Sequence, residues 1–278
     1  MSARHAGAKM MNSGITKRLS CAITLSATAL ALVGTPPAKA AFLVTLEPPG
    51  IQTPNVASIC PGRTCQIGTE TFDSRPTGAG QTFTTDFGTH GVITGTYKNV
   101  QINPADVFGG ADRTGNYVVA YPGSAYSLDL TTTLPTGINY FGYWLSALDG
   151  GNSVAFYNGG TEVYSFTATD FINLIGHCPN PYCGNPNLPG GDSTQPYAFV
   201  NFFDNGGTFD RIIFSENFPD AGYESDNHTV RFAIGTSGTP IDAVAEPGSA
   251  ALIGAALLSL VAVSRRRLSV HWTGSQRC

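Results

Sequence analysis

Two short acidic segments carry the side chains that are best suited to binding a cation. Asp149 and Asn152 lie close together in the chain, and so do Glu224 and Asp226. If the second segment is extended, Glu224 and Asp226 point to one face, because side chains alternate along a strand. Carboxylate and amide oxygens from both segments would then suit Ca²⁺, which takes about six to eight oxygen ligands. The alternative needs no metal: Asp149 and Asn152 cap a turn, while Glu224 and Asp226 are solvated or bind loop backbone.

Aromatic side chains near the middle of the chain suggest a second kind of chemistry. Tyr143 and Trp144 belong to an aromatic run, and Tyr157 follows in the next apolar segment. Rings that are exposed on the face of a sheet can stack on sugars, and these three residues are therefore candidate glycan-binding residues. Buried rings would simply be part of the core, which is the more common environment of a tryptophan such as Trp144.

Motifs of the common catalytic sites are absent from the sequence. It contains no G-x-S-x-G elbow, no H-E-x-x-H pair, no Walker loop and no dinucleotide fingerprint. His90, His177 and His228 are scattered, with no nucleophile in a recognisable setting. Glycoside hydrolysis needs only two carboxyl groups, but nothing in the sequence marks a particular pair. We therefore expect a protein that is not an enzyme.

Four cysteines form two C-x4-C pairs in the middle of the chain. They are Cys60 with Cys65 and Cys178 with Cys183, and each interval contains proline. In an oxidising compartment an even number of cysteines predicts disulfides, and tight proline-bearing loops favour two local bridges. The alternative is a zinc site with four thiolates, for which the spacing is wider than the usual C-x2-C.

The region 41–243 has the composition of a single all-β domain. Gly, Pro, Asn, Asp, Ser and Thr separate short segments that are rich in Val, Ile, Phe, Tyr and Thr. This density of strands predicts an antiparallel β-sandwich or a jelly-roll-like fold. The predicted strands are 42–46, 69–72, 81–87, 91–100, 117–120, 124–130, 140–147, 153–157, 162–167, 197–203, 210–215 and 228–234.

Two glycine-containing turns predict hairpins, and one segment predicts a helical turn. Asn158-Gly159-Gly160 separates two alternating segments, and Asn-Gly tolerates the positive φ of a tight turn. A second turn at 204–207 is predicted to join the strands on either side of it. Residues 168–174 are the only segment of this region for which we expect helix.

The first 40 residues have the layout of a secretory signal peptide. Lys17 and Arg18 precede the apolar stretch 21–33, and Ala38 and Ala40 form a small-x-small cleavage site. Cleavage is expected after Ala40. The remaining region 41–243 contains six basic and eighteen acidic residues, for a net charge of −12. Such a domain repels phosphate backbones, so nucleic-acid binding is disfavoured.

The C-terminal segment combines a short polar motif, an apolar stretch and a basic cluster. In order, these are Ala245-Glu246-Pro247-Gly248, residues 250–263 and Arg265-Arg266-Arg267. Fourteen helical residues span about 21 Å, less than the roughly 30 Å of the hydrocarbon core, so the stretch is a marginal permanent anchor. The arginines favour a cytoplasmic position for its C-terminal side.

This segment resembles the PEP-CTERM sorting signal of Gram-negative bacteria, although Ala245 replaces the first proline of the motif. The resemblance implies that an exosortase, a membrane-embedded cysteine protease, recognises the tail and removes it. Residues 140–154, the following hairpin, 209–214 and 224–227 also resemble a family of exosortase-dependent β-rich surface proteins with no established activity. The predicted organisation is a signal peptide at 1–40, an ectodomain at 41–243, a sorting signal at 244–267 and a cytoplasmic tail at 268–278.

We therefore expect a non-catalytic protein that is exported to the outer surface or extracellular matrix of a Gram-negative bacterium. Its C-terminal helix would anchor it in the membrane only transiently. The expected partners are the Sec translocon, signal peptidase, the exosortase and exopolysaccharide. The alternative is a calcium-dependent, lectin-like module that binds carbohydrate in the exopolysaccharide matrix, with Ca²⁺ as its cofactor.

Overall fold

The computed structural model describes residues 41–56, 67–232 and 239–241. These residues all belong to one compact unit, Lys39–Cys278. Several predicted features lie outside the described residues. They are the signal peptide with its cleavage residues Ala38 and Ala40, the C-terminal helix, the sorting motif with its three arginines, and the pair Cys60 and Cys65. No helix in the described ranges is long and apolar enough to cross a membrane.

Within the described part of the chain, the fold is all-β, as the composition predicts. An α-helix, α1 (Ala168–Ile175), and a short 3-10 turn, Ala111–Arg113, accompany the strands. The strands are β1 (Ala41–Leu46), β2 (Ile67–Glu70), β3 (Gly78–Thr85), β4 (Ile93–Pro104), β5 (Asn116–Ala120), β6 (Ala125–Thr132), β7 (Tyr140–Ser146), β8 (Asn152–Asn158), β9 (Thr161–Thr167), β10 (Ala198–Asn205), β11 (Arg211–Glu216), β12 (Tyr223–Arg231) and β13 (Thr239–Ile241).

The described strands form one antiparallel sheet that folds over on itself and is nearly closed. Its order is β13-β1-β10-β7-β12-β5-β4-β6-β11-β8-β9, with β2 paired to β12 and β3 paired to β4. Strand β5 pairs with both β12 and β4 and so connects the two halves. The sandwich is therefore built from a single continuous sheet rather than from two separate ones.

Aromatic rings fill the space between the two halves. Phe42 of β1 stacks on Tyr164 of β9 with ring centroids 4.4 Å apart, so strands near opposite ends of the sheet order meet. Phe202 of β10 lies 5.0 Å from Phe156 of β8 by the same measure. Such pairs add about 0.5–1.5 kcal/mol beyond the burial of their apolar area. The core therefore holds the sheet in its folded-over form.

The hairpin that the Asn158-Gly159-Gly160 turn predicts is confirmed. Asn158 pairs with Thr161 at the end of β8 and β9, and Gly159 and Gly160 have φ of +55° and +83°. The predicted helical turn is also confirmed as α1. Its first turn carries a capping box in which the Thr167 backbone N–H donates to Asp170 Oδ2 at 2.8 Å.

Two predictions about strand connection and extent are wrong. The turn at 204–207 does not make a hairpin, because β10 pairs with β1 and β7 while β11 pairs with β6 and β8. The last long strand, predicted at 228–234, is Tyr223–Arg231 and so contains the second acidic segment. Strand β13 was not predicted.

Candidate functional site

A groove of about 810 Å³ opens at the end of the sandwich where several strands terminate. Its volume lies within the range of about 300–1,000 Å³ that is typical of ligand sites. We call it the acidic groove, because carboxyl groups and aromatic rings form much of its lining and none of its lining residues is Lys, Arg or His. The side chains that matter below are Asp106, Asp149, Asp220, Glu224, Phe108, Tyr117 and Tyr121.

Antiparallel pairing explains why residues that are distant in sequence meet here. Glu224 is the second residue of β12, and it pairs with Val119 of β5 on one side and with Ser146 of β7 on the other. Strands β5 and β7 both end at this edge of the sheet, where β12 begins. The loops after β5 and β7 therefore converge on the start of β12.

The Asp149–Asn152 segment is a capped turn that ties together the loops around the groove. The Asp149 backbone N–H donates to Asn152 Oδ1 at 2.8 Å, and Gln195 Nε2 donates to Asp149 Oδ1 at 2.7 Å. Asn152 Nδ2 donates to the Gly222 carbonyl at 2.9 Å and also to Glu216 Oε2. Partial burial raises the pKa of Asp149. The turn-capping interpretation is confirmed for Asn152, whereas the Asp149 carboxylate accepts hydrogen bonds from Gln195 and Gly222 instead.

Glu224 is the most unusual carboxyl group of the groove. It is only 7% exposed, and its Oε2 has no hydrogen-bond partner in the structure. Burial raises its pKa to about 8, and the negative charges of Asp149, Asp106 and Glu216 act in the same direction. The glycine at position 222 leaves space for this side chain, because the Cβ of any other residue there would lie 2.1 Å from Glu224 Oε1.

Asp226 lies on the same strand, but its two oxygens bind loop and strand backbone. Oδ2 accepts from the Ala111 N–H at 2.7 Å, and Oδ1 accepts from the Asn227 N–H at 2.7 Å. Burial raises its pKa to about 7, with Asp73 and Asp112 as the neighbouring charges. Asp226 thus fixes the 3-10 turn against β12 and does not line the groove.

The four predicted calcium ligands are not brought to one point. Asp149 and Glu224 line the groove, whereas the amide of Asn152 and the carboxylate of Asp226 are engaged elsewhere. Among the residues that the structure describes, no group of three or more His, Cys, Asp or Glu side chains is placed to hold a metal ion. The described residues therefore do not fit a site with all four predicted ligands.

Two of the three predicted glycan-binding rings are in the core, so that prediction is wrong for them. Tyr143 and Trp144 are 0% and 1% exposed, because every residue of β7 is buried. Tyr143 faces Phe202 and Phe214, while Trp144 packs against Tyr197 on the other side of the strand. A buried ring cannot stack on a sugar.

Tyr157 is partly exposed, but it lies on a different surface. It sits on β8 opposite Arg211 of β11, and its hydroxyl donates to Glu162 Oε2 at 3.2 Å. It is not among the residues that line the acidic groove.

The aromatic rings that are exposed at the groove were not predicted from the sequence as site residues. Phe108 and Tyr121 line it at 47% and 45% exposure, and Phe218, at 54%, precedes the lining residue Pro219. All three lie outside the named strands and beside Gly, Pro or Asn. Flanking turn residues place an aromatic residue outside a strand, but they do not by themselves predict its exposure, since Phe87 beside Gly88 is only 2% exposed.

A serine, a histidine and two tyrosines form a separate hydrogen-bonded network in the core. Ser225 Oγ lies 3.0 Å from His228 Nε2 and 2.8 Å from the Tyr126 hydroxyl, and His228 Nδ1 lies 2.9 Å from the Tyr97 hydroxyl. Ser225 and His228 are both 0% exposed. Burial lowers the pKa of His228 to about 3. This Ser–His pair is closed to any substrate, so it stabilises the core.

The disulfide between Cys178 and Cys183 is present, as the C-x4-C spacing predicts. Its Cα atoms are 5.8 Å apart. The bond closes residues 178–183, at the start of the loop that leads from α1 to Pro196. The Tyr197 backbone N–H donates to the Tyr182 carbonyl at 2.8 Å across the ends of that loop. This loop supplies Gln195 to the acidic groove.

Removing this disulfide is expected to lower the free energy of unfolding by about 2 kcal/mol, because it closes a short loop of the unfolded chain. The comparison is between wild type and the Cys178→Ser/Cys183→Ser variant in denaturant unfolding under oxidising conditions. Under reducing conditions the difference should disappear. A difference that persists there would mean that the serines act on the folded state and not through the crosslink.

No protein-family model, curated protein or solved structure matches the chain. Its function therefore has to be inferred from its own sequence and geometry.

Proposed function

We propose that the protein is a non-catalytic surface or matrix protein that is exported and then sorted by an exosortase. The observation that carries this proposal is the order of features at the C-terminus: Ala245-Glu246-Pro247-Gly248, an apolar stretch and Arg265-Arg266-Arg267. The signal-peptide pattern at the other end supports it. So does the Cys178–Cys183 disulfide, since such bonds persist mainly in oxidising compartments outside the cytoplasm.

The composition of the region 41–243 supports the same function. Its net charge of −12 suits a protein that stays soluble among other macromolecules outside the cell. Its described strands form a nearly closed sheet around an apolar core. We infer that this region is a stable binding or structural module that the two terminal signals deliver.

Changing the Glu-Pro motif should block processing of the tail. In a Gram-negative host that has an exosortase, the Glu246→Ala/Pro247→Ala variant is expected to accumulate with its C-terminal peptide attached. Immunoblotting of membrane and medium fractions with an antibody against the last residues of the chain measures this. Asp242→Ala is the matched control, because it removes a nearby negative charge outside the motif. Equal processing of the motif variant and wild type would contradict the sorting proposal.

A second candidate function is carbohydrate binding in the exopolysaccharide matrix. The specific observation in its favour is that the exposed rings of Phe108 and Tyr121 line the same groove as Asp149 and Glu224. Rings that stack on sugar faces beside hydrogen-bonding carboxyl groups are a common design for such sites. The calcium-dependent form of this function would have to recruit ligands beyond the four that the sequence suggests.

Loss of the two groove rings is expected to weaken binding of matrix polysaccharide by about tenfold or more, since each stacking contact is worth about 1 kcal/mol. Affinity electrophoresis of wild type and Phe108→Ala/Tyr121→Ala, with and without a calcium chelator, tests this. Tyr157→Ala is the control, because it removes an exposed ring on another surface. Equal mobility of all three proteins in the polysaccharide gel would remove this candidate.

A further inference from the structure

The charge of the acidic groove has a single sign. Asp106, Asp149, Asp220 and Glu224 line it, and Glu216 lies close enough to raise the pKa of Glu224 through its charge. None of the lining residues is a Lys, Arg or His that could neutralise them. A cavity with carboxyl groups of one sign favours a cationic ligand and repels an anionic one.

Most of these carboxyl oxygens already have partners within the protein. Asp106 Oδ1 accepts from the N–H groups of Phe108 and Gly109, and its Oδ2 accepts from the Tyr117 hydroxyl at 3.0 Å. Both oxygens of Asp149 also accept hydrogen bonds, from Gln195 and Gly222. These two aspartates are therefore fixed in position and contribute mainly their charge.

Glu224 differs from these two, because its Oε2 is buried and has no partner. A buried acceptor without a hydrogen bond is unfavourable, because it has lost its contact with water and gained none in return. The side chain lines the groove, so a small rotation of its carboxyl group would bring this buried oxygen to a bound ligand. A ligand that donates a hydrogen bond would satisfy this oxygen, whatever the charge of the neighbouring carboxyl groups.

The surroundings of Glu224 suit an organic cation better than a metal ion. Ca²⁺ needs about six to eight oxygen ligands, and the described residues offer no group of three or more metal-binding side chains. A primary ammonium group needs only about three acceptors, because it has three donors and no acceptor. The exposed rings of Phe108 and Tyr121 supply faces that attract a cation and stack on a sugar.

We propose that the acidic groove binds a saccharide that carries free primary amino groups, with the ammonium group donating to Glu224 and the sugar ring stacking on Phe108 or Tyr121. This inference rests on the carbohydrate-binding candidate for the class of ligand and is independent of exosortase sorting. The negative charges of Asp106 and Asp149 attract the ammonium group, and Glu224 supplies the hydrogen bond that orients it.

Calorimetric titration of the purified full chain with a glucosamine tetramer tests the proposal, at a pH at which the amines are protonated. The N-acetylglucosamine tetramer is the matched ligand without charge. Glu224→Gln is the key variant, because it keeps the shape of the side chain and removes the carboxyl group, which an ammonium group would favour in its ionised form on binding. Glu162→Gln, at an exposed position of β9 outside the groove, is its control. Spermidine and calcium chloride are titrated separately as cations without sugar.

We expect the glucosamine tetramer to bind at least about tenfold more tightly than the acetylated one, and the Glu224→Gln variant to lose about tenfold or more in affinity. Equal binding of both tetramers would overturn the ammonium inference and leave carbohydrate binding standing. Binding of neither tetramer would overturn both and leave the sorting proposal untouched. Spermidine or Ca²⁺ binding as tightly as the glucosamine tetramer would overturn the saccharide part of the inference.

Discussion

Replacing Phe214 by alanine is expected to lower the free energy of unfolding by about 3–5 kcal/mol, the range observed when a large buried ring is removed from a core. Phe214 of β11 is 0% exposed. Its ring centroid lies 4.8 Å from that of Tyr126, and 5.2 Å from those of Tyr143 and His228. It therefore joins both halves of the sheet, and the cavity left by the substitution would open where they meet.

Denaturant unfolding of the purified protein, followed by tryptophan fluorescence, measures this loss. Phe108→Ala is the matched control, since it removes the same ring from a site that is 47% exposed and should cost less than about 1 kcal/mol. A loss at Phe214 no larger than that at Phe108 would contradict the described core.

The second large effect that we expect is an increase in the free energy of unfolding when Glu224 is replaced. Glu224→Gln is expected to stabilise the protein at alkaline pH by as much as about 5 kcal/mol and to leave it nearly unchanged in acid. The folded pKa of Glu224, about 8, lies above its ordinary value of 4.5. Below 4.5 both states are protonated and differ little. Between 4.5 and 8 the folded state keeps a proton that the unfolded state has lost, so this group makes stability fall as pH rises. Glutamine cannot ionise and so avoids the penalty.

Unfolding curves of wild type and Glu224→Gln across this pH range test the prediction. Glu162→Gln, which changes an exposed carboxylate, should differ little from wild type at every pH. His228 acts in the opposite direction, because its lowered pKa makes stability fall on acidification, but its effect cancels between proteins that are compared at the same pH. A constant difference between wild type and Glu224→Gln at all pH values would contradict the buried, ionisable Glu224.

Sequence patterns correctly predict those elements whose contacting residues lie close together in the chain. The hairpin of β8 and β9 follows from two alternating segments and the positive φ that Gly159 and Gly160 provide. The C-x4-C spacing similarly predicts the bond between Cys178 and Cys183. In each case the partners are a few residues apart, so residue type and spacing define the contact.

Prediction from sequence failed where distant strands decide the outcome. The turn at 204–207 has the composition of a hairpin turn, yet β10 pairs instead with β1 and β7. The first half of β12 was not predicted as a strand, because Glu224, Asp226 and Asn227 are polar. These residues are nevertheless buried, since loops that are remote in sequence cover the outer face of the strand. Polar residues of that kind are typical of a loop when only neighbouring residues are considered.

The acidic groove was predicted only in part for the same reason. The sequence indicates the two segments that supply Asp149 and Glu224, but the extended backbone around Glu224 was only a condition of that argument and lies outside the predicted strands. The roles of Asn152 and Asp226 depend on Gly222 and Ala111, which come from other parts of the chain. The exposure of Phe108 and Tyr121 depends on the folded loops, and no periodic pattern encodes it.

Intact mass and terminal-peptide analysis of the protein recovered from the envelope and medium of its native host tests the central proposal most directly. We predict a chain that begins at Ala41, ends near Glu246-Pro247 and carries the Cys178–Cys183 disulfide. A chain that still begins at Met1 and is found in the cytoplasm would contradict export. A chain that begins at Ala41 but still ends at Cys278 would show that the C-terminal segment is a plain anchor and would contradict exosortase sorting.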